Sequence, residues 1–189
     1  VYVIDDFGDM RVVDVIAPAI RSIRAATDRG TINVNTNGSR PAALTLLMDA
    51  GLDSLRISLN SVREDCYNAY FRPGGYRFSD VVAGIDLALR RGVHVSLNYL
   101  NLPGFTDTPE EVAALTYFLN HHPVQMIQWR NLNLDPLRYW EMMTTILAHG
   151  NPLGMKAVFE EVRVGFPGLR HGYFNPTKEM FSEPNQQPS

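Results

Sequence analysis

The chain has 189 residues, 45% of them hydrophobic, and a formal net charge of −3 at pH 7. That length allows one domain with a sizeable core, the weak negative charge gives no reason to expect nucleic acid or an anionic membrane surface as a partner, and no apolar run is long enough to cross a bilayer. The only cysteine, Cys66, excludes an internal disulfide and is typical of a reducing compartment, so we expect a cytoplasmic protein.

Short apolar segments alternate with amphipathic helical segments along the chain. The predicted strands are residues 1–4, 31–36, 54–59, 93–100 and 124–130. The predicted helices are residues 11–29, 41–50, 78–91, a helix that begins at the capping box 108–111, and residues 136–149 and 153–164. Residues 62–71 are predicted as helix or turn.

This strand–helix alternation is typical of an α/β protein with a parallel sheet and right-handed crossovers. It fits an open doubly wound sheet or part of a barrel. In both folds, ligands bind beyond the carboxyl ends of the strands.

Polar side chains stand at the ends of four predicted strands, where such a fold places its ligands. They consist of amides, a hydroxyl and a guanidinium, which can hydrogen-bond to hydroxyls and to anionic groups. We therefore predict one polar site at this edge of the sheet. The candidate residues are Asn35, Asn37, Ser58, Asn60, Asn98, Arg130 and Asn131.

Each candidate also has a purely structural interpretation. Asn37 precedes Gly38, and an Asn-Gly pair is a common turn signal. Ser61 is spaced from Glu64 as in a capping box, which we favour over a ligand role. Arg130 could form a surface ion pair instead.

Four other side chains are of types that often bind ligands or metals or react as nucleophiles. Arg72 either reaches an anionic group or is a solvated loop arginine. His121 and His122 lie at a helix end, where adjacent residues diverge, so we predict no metal site there. Cys66 is predicted to be a small packing residue. Neither a GxGxxG motif nor a P-loop is present.

Four segments in this order resemble the radical S-adenosylmethionine (SAM) superfamily. They read NVNTNGS, LRISLNS, VSLNYLNLPGFTD and MIQWRNLNLDP, and the resemblance covers residues 1–140. It implies a partial, TIM-like (β/α)6 barrel, of which about five βα units are present. We accordingly predict a barrel at 1–150, followed by a C-terminal helix and extension at 151–175. Residues 176–189 are rich in Pro, Gln, Asn and Ser, which predicts a flexible tail.

The resemblance implies roles at a SAM site. Ser58 and Asn60 match the pattern that faces the ribose, and Asn37 lies in the Thr-Asn-Gly pattern at the third strand of the family. The strand that ends at Arg130 and Asn131 would cross close to the adenine, and Asn35 and Asn98 would complete the polar edge. The nearest match to the Gly-Gly-Glu segment, which meets the SAM amino group, is Gly8 and Asp9, where aspartate is one methylene shorter.

The family signature CxxxCxxC, whose thiolates hold a [4Fe–4S] cluster, does not occur in the sequence. The chain begins inside an apolar run, so we expect a fragment that lacks upstream residues carrying these cysteines. The resemblance implies that the intact enzyme cleaves SAM reductively and uses a 5′-deoxyadenosyl radical for hydrogen abstraction. It would require an electron donor and a small-molecule or peptide substrate.

Two other function classes stay open. The chain could be a non-catalytic domain that binds a small molecule or a partner without a cluster. It could also be an ordinary parallel α/β enzyme that resembles the family by chance, although no nucleophile–base or metal constellation supports this. A CxxxCxxC motif in the preceding residues would favour the radical enzyme.

Overall fold

A six-stranded parallel sheet organises the part of the chain that the computed structural model describes, which is residues 2–5, 10–132, 134–144, 146, 151–172 and 176–181. The strands are β1 (Tyr2–Asp5), β2 (Ile32–Thr36), β3 (Ser54–Leu59), β4 (His94–Asn101), β5 (Met126–Asn131) and β6 (Arg170–His171). The helices are α1 (Met10–Ala26), α2 (Pro41–Asp49), α3 (Glu64–Phe71), α4 (Phe78–Arg90), α5 (Pro109–His121), α6 (Pro136–Met143) and α7 (Met155–Gly165), followed by a short 3-10 helix (Lys178–Met180).

The order of the strands in the sheet follows their order in the chain, from β1 to β6. A doubly wound sheet reverses its strand order at a switch point, whereas a barrel adds each strand beside the preceding one. The described sheet has no reversal. This confirms the predicted α/β fold, with about five βα units of a partial barrel.

The two faces of the sheet have opposite chemistry, because side chains alternate along a strand. One face, here called the apolar face, packs against the helices and contains Val34, Leu55, Ile57, Val95, Leu97 and Ile127. The other, here called the polar face, contains Asn33, Asn35, Ser54, Arg56, Ser58, Ser96, Asn98, Gln128 and Arg130. Several of these side chains bond to each other. The Ser54 hydroxyl, for example, donates to Asn33 Oδ1 at 2.8 Å.

Two helices end well before their predicted C-terminal residues. The first helix ends at Ala26, before the predicted Arg29, and Ile23 is its last apolar side chain that packs against the core. The helix predicted to reach His149 ends at Met143, where Thr144 is the C-cap. The predicted helix start at α5 is confirmed, since Thr108 is the N-cap and its Oγ1 accepts a hydrogen bond from the Glu111 N–H at 3.4 Å. The reciprocal half of the capping box is not formed, because the Thr108 N–H donates to the Phe105 carbonyl oxygen.

The described segments after residue 150, 151–172 and 176–181, contact the barrel. Val158 and Val162 of α7 are buried in the main core, and β6 extends the sheet by pairing with β5. The Lys178 N–H donates to Thr31 Oγ1 at 2.7 Å, so residues 176–181 dock on the barrel where the sequence predicted a flexible tail. The rest of that predicted tail, 182–189, lies outside the described residues, and the predicted division near residue 150 stays a prediction. No helix in the described part of the chain is long and apolar enough to span a bilayer.

A turn after β2 packs closely against α4. Gly38 in this turn has a φ of +72°, a conformation that favours glycine. Its carbonyl oxygen approaches Gly84 of α4, where a Cβ atom would overlap that oxygen and also contact Leu44. A glycine at position 84 therefore allows the turn and the helix to meet.

Replacing Gly84 with alanine should destabilise the fold, because the added methyl group has no space and the opposing atom is backbone. We expect Gly84→Ala to lower the free energy of unfolding by about 2–3 kcal/mol in urea denaturation. Gly165→Ala is the matched control, since Gly165 is also helical but has open space around it. It should change stability by no more than about 1 kcal/mol. An equal change in the free energy of unfolding in the two variants would contradict the close contact between Gly38 and Gly84.

Stability should also depend on His94, which is buried and stacks on Phe181 with ring centroids 4.2 Å apart. Burial, and secondarily the charge of Arg170, lowers the pKa of His94 from 6.5 to about 4. As the pH falls below 6.5, the unfolded chain binds a proton at this site before the folded chain does. The free energy of unfolding should therefore fall, by about 2 kcal/mol between pH about 7 and pH about 5.

Urea denaturation of His94→Phe at both pH values measures this contribution, since the variant keeps a ring but cannot titrate. Its stability should depend less on pH than that of the unchanged chain. Leu137→Ala, a non-titratable control at an exposed residue of α6, should keep the original pH dependence. A His94→Phe variant with an unchanged pH dependence would contradict the prediction.

Candidate active site

A cavity of about 210 Å³ lies at the carboxyl ends of β3, β4 and β5. Ser58 pairs in register with Asn98, and Arg130 lies farther along the neighbouring strand. These three polar side chains come from adjacent parallel strands and share the polar face. The cavity is lined by Ser58, Leu59, Tyr70, Phe71, Asn98, Leu100 and Arg130.

A chain of hydrogen bonds orders the polar wall of this cavity. Arg130 Nε donates to Asn98 Oδ1 at 2.8 Å, and Asn98 Nδ2 donates to Ser58 Oγ at 3.4 Å. Arg130 Nη2 donates to Gln128 Oε1 at 3.1 Å. The guanidinium is thus held at the strand ends, beside groups that can both donate and accept hydrogen bonds.

The opposite wall is aromatic and comes from α3. Tyr70 and Phe71 meet edge to face, with centroids 4.8 Å apart, and Tyr67 stacks on Phe71 at 4.5 Å. A polar wall facing an aromatic wall suits a ligand that combines a planar ring with hydroxyl or anionic groups. Tyr70, Phe71 and Gln128 were not among the predicted site residues. The apolar positions of α3 were the only sequence pattern that could have indicated the two aromatic residues.

Two of the predicted residues on β2 and the turn after it lie outside the cavity lining. Asn35 is on the polar face, but its Oδ1 accepts a hydrogen bond from Asn33 Nδ2 at 3.0 Å. Asn37 Oδ1 accepts hydrogen bonds from the Ser39 N–H at 3.1 Å and the Ser39 hydroxyl at 2.8 Å. Asn37 therefore closes the turn before α2, in agreement with its structural interpretation.

Asn60 was predicted to join Ser58 in the polar site, because residues two apart on a strand share a face, but it does not. The strand ends at Leu59, so the alternation of side chains does not extend to Asn60. Its buried Nδ2 donates to the Cys66 carbonyl oxygen at 3.0 Å and to the Tyr139 hydroxyl oxygen at 3.2 Å. It holds the start of α3 against α6 and does not line the cavity.

The predicted capping box of Ser61 and Glu64 is also wrong. The N-cap of α3 is Arg63, without a side-chain cap, and Ser61 Oγ accepts from the Arg63 N–H at 3.0 Å. The Ser61 hydroxyl donates to the Glu111 carboxylate, 50 residues away, at 2.7 Å. Of the remaining candidates, Asn131 is exposed at the end of β5, and Gly8 and Asp9 lie outside the described residues.

A buried carboxylate, which was not predicted from the sequence, joins three segments near the cavity. Glu111 is 1% exposed. Besides the Ser61 hydroxyl, Arg63 Nη1 donates to its Oε1 at 3.3 Å, and the Cys66 thiol lies 3.6 Å from the same oxygen. This Glu111 cluster fixes the beginning of α3, which carries the aromatic wall, against the beginning of α5. The capping box gave the position of Glu111 but not its burial.

Burial controls protonation in this cluster. Desolvation raises the pKa of Glu111, and its hydrogen bonds to Ser61, Arg63 and Cys66 and the charge of Arg63 oppose that rise. Desolvation also raises the pKa of the Cys66 thiol, and the negative charge of Glu111 adds to this effect. A thiol held in its protonated form is a poor metal ligand and a poor nucleophile. Cys66 is therefore a packing residue, as predicted.

The described residues do not fit an iron–sulfur cluster. Such a cluster needs several thiolates, whereas the sequence contains one cysteine, whose buried thiol faces Glu111. Among the described residues, no group of three or more histidine, cysteine or acidic side chains could hold a metal ion. His121 and His122 have separate partners, the Tyr117 carbonyl and Asp86.

Comparison with known proteins identifies relatives of this chain. The model of the radical SAM superfamily matches residues 6–116. GTP 3′,8-cyclase of Heliobacterium modesticaldum is 30% identical over 173 residues, which cover 87% of this chain and 50% of that protein. Molybdenum cofactor biosynthesis protein 1 of Drosophila melanogaster is 30% identical over 120 residues, 63% of this chain and 20% of that protein. The chain thus spans half or less of the length of these relatives.

Solved structures share the fold at low identity. A domain of pyruvate-formate lyase-activating enzyme from Bacteroides vulgatus matches with a TM-score of 0.64 and 9% identity, over 92% of this chain and 98% of that one. Methylornithine synthase matches with a TM-score of 0.61 and 13% identity, over 89% of this chain and 49% of that one. These matches support the partial-barrel architecture.

The Glu111 cluster predicts that replacing Glu111 destabilises the fold more than replacing its neighbour Glu110, although both lie in the first turn of α5. Glu111→Ala leaves the Ser61 hydroxyl and Arg63 Nη1 without their acceptor, so the free energy of unfolding should fall by about 2–3 kcal/mol. Loosening the start of α3 should also make Cys66 react faster with a thiol reagent. Glu110→Ala, at an exposed neighbour, should change stability by less than about 0.5 kcal/mol.

Urea denaturation and the rate of Cys66 modification by 5,5′-dithiobis-(2-nitrobenzoate) measure the two effects. Equal stability and equal thiol reactivity in the Glu110 and Glu111 variants would contradict the role given to the cluster.

Proposed function

Because this chain belongs to the radical SAM superfamily, we propose that the cavity between β3, β4 and β5 is its SAM site and that the intact protein is a radical SAM enzyme. The observation that carries this proposal is the hydrogen-bonded series Ser58–Asn98–Arg130 at the carboxyl ends of adjacent strands. Parallel α/β folds bind their ligands at this edge.

The chemistry of the cavity suits the parts of SAM. Ser58 and Asn98 would hydrogen-bond to the ribose hydroxyls, because a hydroxyl and an amide can both donate and accept. Arg130 would bind the carboxylate, for which a guanidinium fork is the best match among side chains. Tyr70 and Phe71 would pack against the adenine and keep water from that side of the site. In the intact enzyme, one electron from a cluster held outside this chain would cleave the C5′–S bond of SAM, release methionine and supply a 5′-deoxyadenosyl radical for hydrogen abstraction.

A [4Fe–4S] cluster would have to be held by residues outside this chain, since the described residues do not fit one. We propose that a CxxxCxxC motif upstream of Val1 supplies the thiolates in the intact protein. The half-length coverage of the relatives is compatible with this proposal. An electron donor and a small-molecule or peptide substrate would be the further partners of such an enzyme.

The proposed role of this chain is to bind SAM and to hold it in one orientation. The bond from Arg130 to Asn98 holds the amide in one orientation, so that its Nδ2 faces Ser58. Asn60 and Ser61, which follow β3, bond to the Cys66 carbonyl of α3 and to Glu111, and they anchor the segment that leads into α3. The aromatic wall is thereby kept at a fixed distance from the polar wall.

We expect SAM to bind this chain weakly and at the cavity. Each neutral hydrogen bond contributes about 0.5–1.5 kcal/mol, whereas association costs about 4 kcal/mol or more. Titration with SAM, followed by two-dimensional NMR, should shift the amide signals of Ser58, Asn98 and Arg130 with a dissociation constant in the millimolar range or weaker. Asn98→Ala should weaken binding by about threefold to tenfold.

Asn120→Ala is the control, because Asn120 is an exposed amide on α5 and should leave SAM binding unchanged. Signal shifts confined to other surfaces, or equal affinity of the Asn98 variant, would contradict the site. A longer polypeptide that includes the upstream CxxxCxxC motif and is reconstituted with cluster should bind SAM far more tightly and cleave it on reduction. Failure to cleave SAM would favour the non-catalytic binding domain.

A further inference from the structure

A second cavity, of about 490 Å³, lies along α3 and the loop that joins it to α4. It shares no lining residue with the proposed SAM site. One face of α3 supplies one wall, and the loop after the helix supplies the other. The cavity is lined by Glu64, Asn68, Arg72, Pro73, Tyr76 and Arg77.

Arg72 has an unfavourable backbone conformation at the end of α3. It is the C-cap residue, with φ 47° and ψ 57°, and its N–H donates to the Asn68 carbonyl oxygen at 3.0 Å. It is the only residue other than glycine with a positive φ in the described part of the chain. Glycine normally occupies such a position, since a Cβ atom is strained there. An arginine at this place costs stability, which is typical of functional sites.

The two guanidinium groups of the cavity are available for a ligand. Within residues 13–132, whose side chains the structure describes, neither Arg72 nor Arg77 forms a side-chain hydrogen bond or ion pair, whereas Arg63 and Arg91 bind carboxylates. Glu64 is the one carboxylate in the lining, so the cavity has a net positive charge. The Tyr76 hydroxyl lies 3.2 Å from that of Tyr67, and the Tyr76 ring packs against the core.

We propose that this cavity binds a small molecule bearing a dianionic oxyanion group, as found in phosphate esters and dicarboxylates. Arginine forks match the geometry of both groups and bind them in a bidentate manner. Two forks at one cavity favour an ion with two negative charges over one with a single charge. The site stands apart from SAM binding, and neither proposal requires the other.

Titration of the chain with inorganic phosphate, succinate and acetate tests the proposal. Each titration is made at the same ionic strength, so that the screening of charges by salt is equal in all three. We expect phosphate or succinate to shift the NMR signals of Arg72, Tyr76 and Arg77, and acetate to bind more weakly. The dianion that binds more tightly indicates whether the ligand is a phosphate ester or a dicarboxylate. Arg72→Gly and Arg77→Gln should each weaken binding by about tenfold or more.

Arg72→Gly has a second readout, since removing the strained side chain should raise the denaturation midpoint while binding is lost. Arg21→Gln, at an exposed arginine on α1, should leave binding unchanged. The absence of shifts with both dianions, equal weakening by Arg21→Gln, or a lower midpoint in Arg72→Gly would overturn the proposal. The SAM titration of the unchanged chain is followed at Ser58, Asn98 and Arg130, none of which lines this cavity, so the two sites are tested separately.

Discussion

The register of the parallel strands is the constraint on which the rest of this structure depends. Ser58, Asn98 and Gln128 lie opposite one another on β3, β4 and β5, and the alternation of side chains places them on one face. A slip of one residue in any strand would exchange its faces, burying amides against the helices and exposing the core. The proposed SAM site and the hydrophobic core are therefore specified by the same pairing.

The polar face is held together by its own side chains. Asn33 links Ser54 to Asn35, and Asn98 links Ser58 to Arg130. Buried polar groups are costly unless they are bonded, so each of these residues restricts the position of its neighbours. A network of this kind favours one register over others and presents the cavity groups in fixed orientations.

The helix α3 connects three features of the molecule, although it has only eight residues. Its beginning is fixed by the Glu111 cluster and by Asn60, and its end presents Tyr70 and Phe71 to the first cavity. The next residue, Arg72, lines the second cavity. A change in the packing of α3 would therefore reach both cavities. A helix this short depends on tertiary contacts for its stability, which explains the number of bonds at its beginning.

The sequence by itself determined the order of the first five strands and of the helices that alternate with them, the α/β class and the candidate edge of the sheet, because helix and strand periods and capping signals are local patterns. The two-residue strand β6 was not predicted, since it is too short to show a period. The sequence also placed Ser58, Asn98 and Arg130 at strand ends, where the structure brings them together. Only the tertiary structure decided the roles of Asn60 and Ser61, whose partners Tyr139 and Glu111 are 79 and 50 residues away. Strand ends and the burial of a charge depend on such distant contacts, and no local pattern encodes them.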